Sequence, residues 1–329
     1  MPRRGRGRQP RLHPARPDRV RAGAAGWINT DFIDNSAGVD TSDHEVNLKI
    51  LLGLAVGRGE LTTDDRNALL AEVEEDVVRH VLYDNFLQAQ ILSQEAVTSA
   101  HHMEAYEDLM VVLETREVLD RELEALPNAE EMAERRRTNR GMTRPELAVL
   151  LAYAKQNLTN ALLASSLPDS AYLETDLRGY FPPPVVERFG PLLNEHPLRR
   201  ELIAMLVAND VVNSQGITFV SRVVTETGAD AADVTRAYRI ARDVTGAVER
   251  WEEIEALVGT LEPALLDDLM EGVDRAGGGD GAVVPAARPR PARPRDRGAR
   301  GTLPSVRRRR SGRSRRPDGN RSENAPPGP

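Results

Sequence analysis

The run Asn35-Ser36-Ala37-Gly38-Val39-Asp40-Thr41-Ser42-Asp43-His44-Glu45 gathers an amide, three hydroxyls, three carboxylates and an imidazole. Ser42-Asp43-His44-Glu45 has the form of a capping box, in which a hydroxyl and a carboxylate three residues on satisfy each other's backbone N–H groups. On that reading Ser42 is an N-cap worth about 1 kcal/mol, and Glu45 completes the box rather than acting as a base. Asp34 and Asn35 read equally well as turn formers. His44-Glu45 opens like the helix of a zinc protease, but Leu48 stands where the second histidine belongs. His101 and His102 are adjacent, so they face different parts of a helix and suit surface or packing roles better than metal ligation. The carboxylate runs Glu72, Glu74, Glu75, Asp76 and Glu130, Glu131, Glu134 read as solvated faces, with Arg135, Arg136 and Arg137 offsetting that acidity across a loop.

Some chemistry is absent. The chain has 0 Cys, which removes disulfides, thiolate metal sites and cysteine nucleophiles. No G-x-G-x-x-G fingerprint occurs, and Gly57-x-Gly59 sits between helices. Lys49 and Lys155 are the only lysines, each inside an apparent helix.

From Thr41 onward the apolar spacing is helical, with no strand alternation. Thr62-Thr63-Asp64-Asp65 starts a helix whose acids suit the positive end of its dipole, and the pattern then runs almost unbroken to about Leu126. Thr143-Arg144-Pro145-Glu146 starts another, with Leu147, Leu150, Leu151, Ala154, Leu158, Leu162 and Leu163 as its apolar face. Tyr180-Phe181 precedes three prolines and reads as packing against neighbouring helices. Later helices are expected over 197–214, 216–227, 230–247, 250–258 and 262–275, with Gly216 and Gly228 as breakers. The expected class is all-α: a multi-helix domain with disordered basic termini.

The net charge of −7 is unevenly spread. Residues 1–23 carry +7, residues 285–329 carry +11, and the segment between them carries −25. The acidic middle repels nucleic acid and anionic membrane. No run approaches the roughly 18 apolar residues of a membrane helix, and no apolar stretch follows the basic N-terminus as a secretory signal requires. A cytoplasmic protein is expected. The Arg/Pro/Gly-rich arms bury too little apolar surface to offset ordering entropy.

Residues 28–48 resemble one block of the large bacterial NAD-specific glutamate dehydrogenases, just after the dinucleotide-binding domain. The stretch 141–155, Tyr180-Phe181-Pro182-Pro183-Pro184, His196-Pro197-Leu198-Arg199-Arg200-Glu201, Ala208-Asn209-Asp210-Val211-Val212-Asn213 and Gly216-Ile217-Thr218-Phe219 resemble that family's C-terminal region, in the same order. The family's Asn-x-Gly-Gly-Val-x-x-Ser-x-x-Glu motif falls on residues 35–45, with Ala37 replacing its first glycine. The resemblance implies that Asn35 approaches the nicotinamide end of NAD, that Ser42 donates a hydrogen bond to the substrate side-chain carboxylate, and that Val39 lines the substrate slot. A hydroxyl at a helix N-terminus, beside free backbone N–H groups, suits a carboxylate. It further implies glutamate and 2-oxoglutarate as substrate and product, NAD as cofactor, and a homo-oligomer when full length. The domain division expected is an arm over 1–25, the end of the catalytic domain over 26–60, the helical domain over 61–276 and an Arg/Pro-rich tail over 277–329.

Both arms read as frameshift products. Permitted codons for residues 8–21, read one nucleotide later, spell Ala-Asn-Leu-Gly-Phe-Thr-Gln-Leu-Gly-Arg-Ile-Glu-Phe, which resembles the family segment expected before residue 28. Codons for residues 283–287 behave similarly, opening into Trp-Phe-Leu-Arg. The expectation is a C-terminal fragment of a glutamate dehydrogenase, inactive alone because it lacks the nucleotide-binding fold and the catalytic lysine. The alternative is a non-enzymatic helical scaffold whose Arg-rich arms bind nucleic acid through phosphates.

Overall fold

The computed structural model describes residues 29–257 and isolated positions between 260 and 273. Both arms, and most of the helix expected over 262–275, lie outside the described residues. Among those described there are thirteen α-helices and no strand, as the spacing predicts. No single described helix is long and apolar enough to cross a membrane.

A short helix α1 (Asp31–Asp34) leads into α2 (Ser36–Gly57), and α3 (Thr63–Glu72) follows a turn through Gly59. Thr62 caps α3 by accepting the Asp65 N–H at 3.1 Å. The apolar run expected to reach Leu126 divides into α4 (Glu74–Thr98) and α5 (Met103–Thr115), separated by a 3₁₀ turn over Ser99–His101. The division has a packing reason. Ser99 is fully buried and its Oγ accepts the Met142 N–H at 3.0 Å, while a Cβ on Gly141 would stand 2.2 Å from that same oxygen. The approach of Gly141 fixes the corner, and Met103, Tyr106, Met110 and Leu113 of α5 then turn into the core.

After α6 (Ala129–Arg137) comes α7 (Arg144–Leu163), in which Glu146 accepts the Thr143 N–H at 2.7 Å and Pro145 occupies the first turn. Leu147, Leu150, Leu151, Ala154, Leu158 and Leu162 are buried as predicted, and Leu163 is half-buried. Two short helices, α8 (Glu174–Tyr180) and α9 (Pro183–Phe189), flank the prolines. The chain then forms α10 (Arg199–Gln215), α11 (Phe219–Thr227), α12 (Ala231–Thr245) and α13 (Ala247–Glu255). α11 starts later than expected because Gly216 adopts φ +91° and the chain turns through Thr218 before the helix begins. Helix packing is serial: α2 lies on α4, α4 on α7, and α7 along much of α10. A single cluster of buried apolar side chains runs from Ile33 through Leu51 and Leu150 to Tyr238 and crosses residue 60 without interruption.

Candidate functional site

α2 has two unlike faces. Its start corrects the sequence reading: Ser42 caps nothing, because the helix begins two turns earlier at Ser36. Asn35, at φ −112° and ψ 19°, bonds its N–H back to Asp31 and Ile33, closing α1 before α2 opens. Ser42 therefore stands mid-helix with its backbone N–H inside the helical ladder, and only its hydroxyl faces outward. Glu45 pairs with Lys49 one turn on instead of completing a box.

Asn35, Val39, Ser42 and Val46 recur at four- and three-residue spacing on one exposed stripe, with Phe32 at its head. Val39 is 70% exposed, Val46 51% and Phe32 47%. Gly38 serves this stripe. A Cβ there would meet the Asn35 Oδ1 at 2.7 Å, so any other residue would push the exposed Asn35 amide aside from its present place.

The opposite face is held by the blocks that resemble the family's C-terminal region. The His44 ring stacks on Tyr180, centroids 4.2 Å apart and planes 13° from parallel. The Tyr180 hydroxyl donates to Asp43 at 2.9 Å and accepts from the Asn47 amide at 3.1 Å. Phe181 meets Tyr180 edge-on at 5.0 Å, confirming that this pair packs against neighbours. His196 Nδ1 accepts the Leu198 N–H at 3.1 Å, which places the ring proton on Nε2, 3.2 Å from the Asn47 carbonyl. Nearer the start of α2, the Asn85 amide donates to the Ser36 hydroxyl at 2.6 Å. Arg144 donates to Asn29 and Ser93, each at 2.9 Å, and Asn29 in turn donates to Asp34 at 3.0 Å.

Between α2, α4 and α7 lies a polar cluster that the sequence reading missed. Asp40 and Asp84 face each other, one oxygen of each within 4.8 Å, and two carboxylates this close disfavour ionising together. Burial, aided by Asp84 and Asp43, pushes Asp40 up to about 7. Burial likewise raises Asp84, against the pull of Lys155. Lys155, largely withdrawn from water, falls to about 8 despite both carboxylates. Burial and the neighbouring His80 bring His44 down to about 4, so its ring is neutral at pH 7. One donor atom from each of Asp40, His44 and Asp84 lies within 4.8 Å of the others, a set able to hold a cation. A signal was present: Asp40–His44 and His80–Asp84 are both acid–histidine pairs four residues apart, hence on one helical face each. Only the α2–α4 packing shows that the two faces meet.

The remaining blocks supply buried polar anchors. Asp210 accepts from Arg242 at 2.8 Å and Arg239 at 3.2 Å, and Arg239 also grips Asp176 at 2.6 and 3.0 Å. Glu95 accepts the Ile217 N–H at 2.6 Å and the Tyr106 hydroxyl. Arg135 forms a two-pronged pair with Glu146 at 2.7 and 2.8 Å, and Arg136 pairs with Glu107. These arginines answer particular acids on other elements. His101 and His102 are exposed.

Comparison with known proteins agrees with this division of labour. The family model for the bacterial NAD-glutamate dehydrogenase catalytic domain matches residues 13–95. That for the glutamate dehydrogenase C-terminal region matches residues 139–278. The NAD-specific glutamate dehydrogenase of Halomonas elongata is 46% identical over 240 residues, 73% of this chain and 15% of the relative. That of Pseudomonas aeruginosa is 45% identical over 249 residues, 74% of this chain and 15% of the relative. That of Mycobacterium tuberculosis is 38% identical over 256 residues, 77% and 16%. The chain thus spans about 15% of the length of these relatives. With the two family models matching residues 13–95 and 139–278, and relatives 38–46% identical over 73–77% of its length, the chain belongs to the bacterial NAD-specific glutamate dehydrogenase family.

Proposed function

We propose that this chain is the C-terminal part of an NAD-specific glutamate dehydrogenase, contributing one wall of the active site and the helical domain that braces it. The intact enzyme would oxidise L-glutamate with NAD and water to 2-oxoglutarate, ammonia and NADH, working as a homo-oligomer. One observation carries the reading. The motif residues Asn35, Val39 and Ser42 occupy the exposed stripe of α2, while its other face is sealed by Tyr180, His196 and the apolar core.

On this reading Ser42 donates its hydroxyl to the substrate side-chain carboxylate, as a lone donor on a helix face without help from free backbone N–H groups. Val39 forms the apolar side of the substrate slot, and Asn35 positions the nicotinamide end of the cofactor. NAD supplies the hydride chemistry when bound. The described residues do not hold it by themselves: they are helical, and a dinucleotide needs the strand–turn–helix that seats its pyrophosphate. The chain alone is therefore expected to be inactive.

The test is complementation. The chain is mixed with the upstream part of the Pseudomonas aeruginosa relative, and glutamate-dependent NADH formation is followed by absorbance. The expected result is no turnover by the chain alone and measurable turnover in the mixture. Ser42→Ala in the mixture should raise KM for glutamate more than it lowers kcat, because it removes a carboxylate contact worth about 1.5–3 kcal/mol. Turnover without the upstream part, or Ser42→Ala kinetics equal to those of the unmodified chain, would sink the reading.

A further inference from the structure

Asp40 and His44 stand one turn apart on the inner side of α2, and Asp84 meets them from α4. Two observations separate this group from an ordinary cluster of acids. His44 is 1% exposed, yet neither ring nitrogen has a hydrogen-bond partner among the described residues, and the buried Asp40 Oδ2 has none either. Stacking on Tyr180 covers the face of the imidazole and leaves its nitrogens unmet, and a buried polar group without a partner is costly. The donor set is also mixed, one imidazole nitrogen with two carboxylate oxygens, the combination that suits first-row divalent ions such as zinc.

We propose that Asp40, His44 and Asp84 bind one divalent transition-metal ion of the zinc class, with water completing its coordination. Zinc bonds imidazole nitrogen and carboxylate oxygen at about 2.0–2.2 Å. Tetrahedral geometry then sets the donors roughly 3.5 Å apart. Rotation of three side chains closes that gap from the present 4.8 Å limit, with the backbones of α2 and α4 already placed. The ion would meet the orphaned donors and offset the repulsion between the Asp40 and Asp84 carboxylates. Lys155 is the competing cation. Its chain also lines an open cleft of about 460 Å³ with Gln156, Thr159 and Asn209, which gives its ammonium somewhere to withdraw. His80, with its ring centroid 5.5 Å from that of His44, stands at the edge of the group as an outer partner. The role is structural: the ion pins α2 to α4 through the residue next to Val39. It rests on this geometry and does not depend on the proposed function.

The test uses the full chain, stripped with a chelator and returned to chelator-free buffer. Zinc chloride is titrated in by calorimetry, and cobalt(II) uptake is followed by its visible spectrum. One equivalent is expected, with protons released on binding. His44→Phe keeps an aromatic face on Tyr180, and Asp84→Asn keeps the side-chain volume. Each should weaken zinc binding by more than about a hundredfold, beyond what loss of an outer partner costs, with an unchanged far-ultraviolet helix signal. A chain that takes up no zinc, or variants that bind it as the unmodified chain does, overturn the proposal. Should His44→Phe fail to fold, Asp84→Asn decides the question.

Discussion

Glu95 is buried where α4 meets the turn before α11, and its carboxylate answers the Ile217 N–H and the Tyr106 hydroxyl. Burial raises its pKa above the ordinary glutamate value, although both hydrogen bonds oppose the rise. The folded chain therefore holds the proton more tightly than the unfolded chain, and stability falls as pH rises from the ordinary glutamate range toward the raised value. Glu95→Gln can still accept from Ile217 and donate to the Tyr106 oxygen. It is expected to abolish that decline, read as a denaturation midpoint that no longer drops with pH over this interval. Gly216 completes the arrangement: at φ +91°, a Cβ there would sit 2.6 Å from the Glu95 oxygen. The glycine was legible in the sequence as a breaker. Its partner was not, since Glu95 reads as one more polar position on a long helix until the fold buries it. Ser42 erred the other way. Its local pattern satisfied a capping box, but six preceding residues continued the helix, and a motif of four residues carries no information about what lies upstream.

At the scale of elements, α2 is the hinge between what was readable and what was not. Its helical class followed from spacing, and the described helices from Thr143 onward fell within a few residues of expectation, the one expected over 262–275 lying outside the described residues. The break between α4 and α5 did not, because it depends on Gly141 reaching Ser99 across the sequence. The binding of α2 to α8 is equally non-local and gives a sharp test. Tyr180→Phe keeps the stack on His44 but removes the hydroxyl that links Asp43 to Asn47. A loss of about 1–3 kcal/mol in unfolding free energy is expected, since the buried Asn47 amide and the half-buried Asp43 carboxylate lose their partner. Under the proposed function the same variant, in the complemented enzyme, should raise KM for glutamate although Tyr180 touches no substrate.

Across the whole molecule, one buried apolar cluster has members on both sides of residue 60, where the family resemblance implies that the catalytic domain ends. Leu48, Leu51, Leu52 and Ala55 are almost fully buried within the same cluster as Leu147, Leu193 and Val207. Deleting residues 1–60 strips that cover, and the remaining helices should lose their single cooperative thermal transition and expose surface that binds a hydrophobic dye. A variant that melts as sharply as the full chain would show that the helical part stands alone. The two family matches, 13–95 and 139–278, likewise name stretches of sequence whose described residues contribute to one buried cluster.

A helix is stiff along its axis, and α2 shows one side to solvent and the other to a bed of aromatic rings and hydrogen bonds. His44 and Ser42 are only half a turn apart, so nothing compliant separates the bed from the tool edge. The helical region behaves as a jig: it holds a blade by its back and thereby sets where the front can cut. Under the proposed function, wear in the jig, at Tyr180, His196 or Arg144, should therefore look like damage to the blade, and lesions far from any reacting atom would pass in a kinetic assay for lesions of the active site itself.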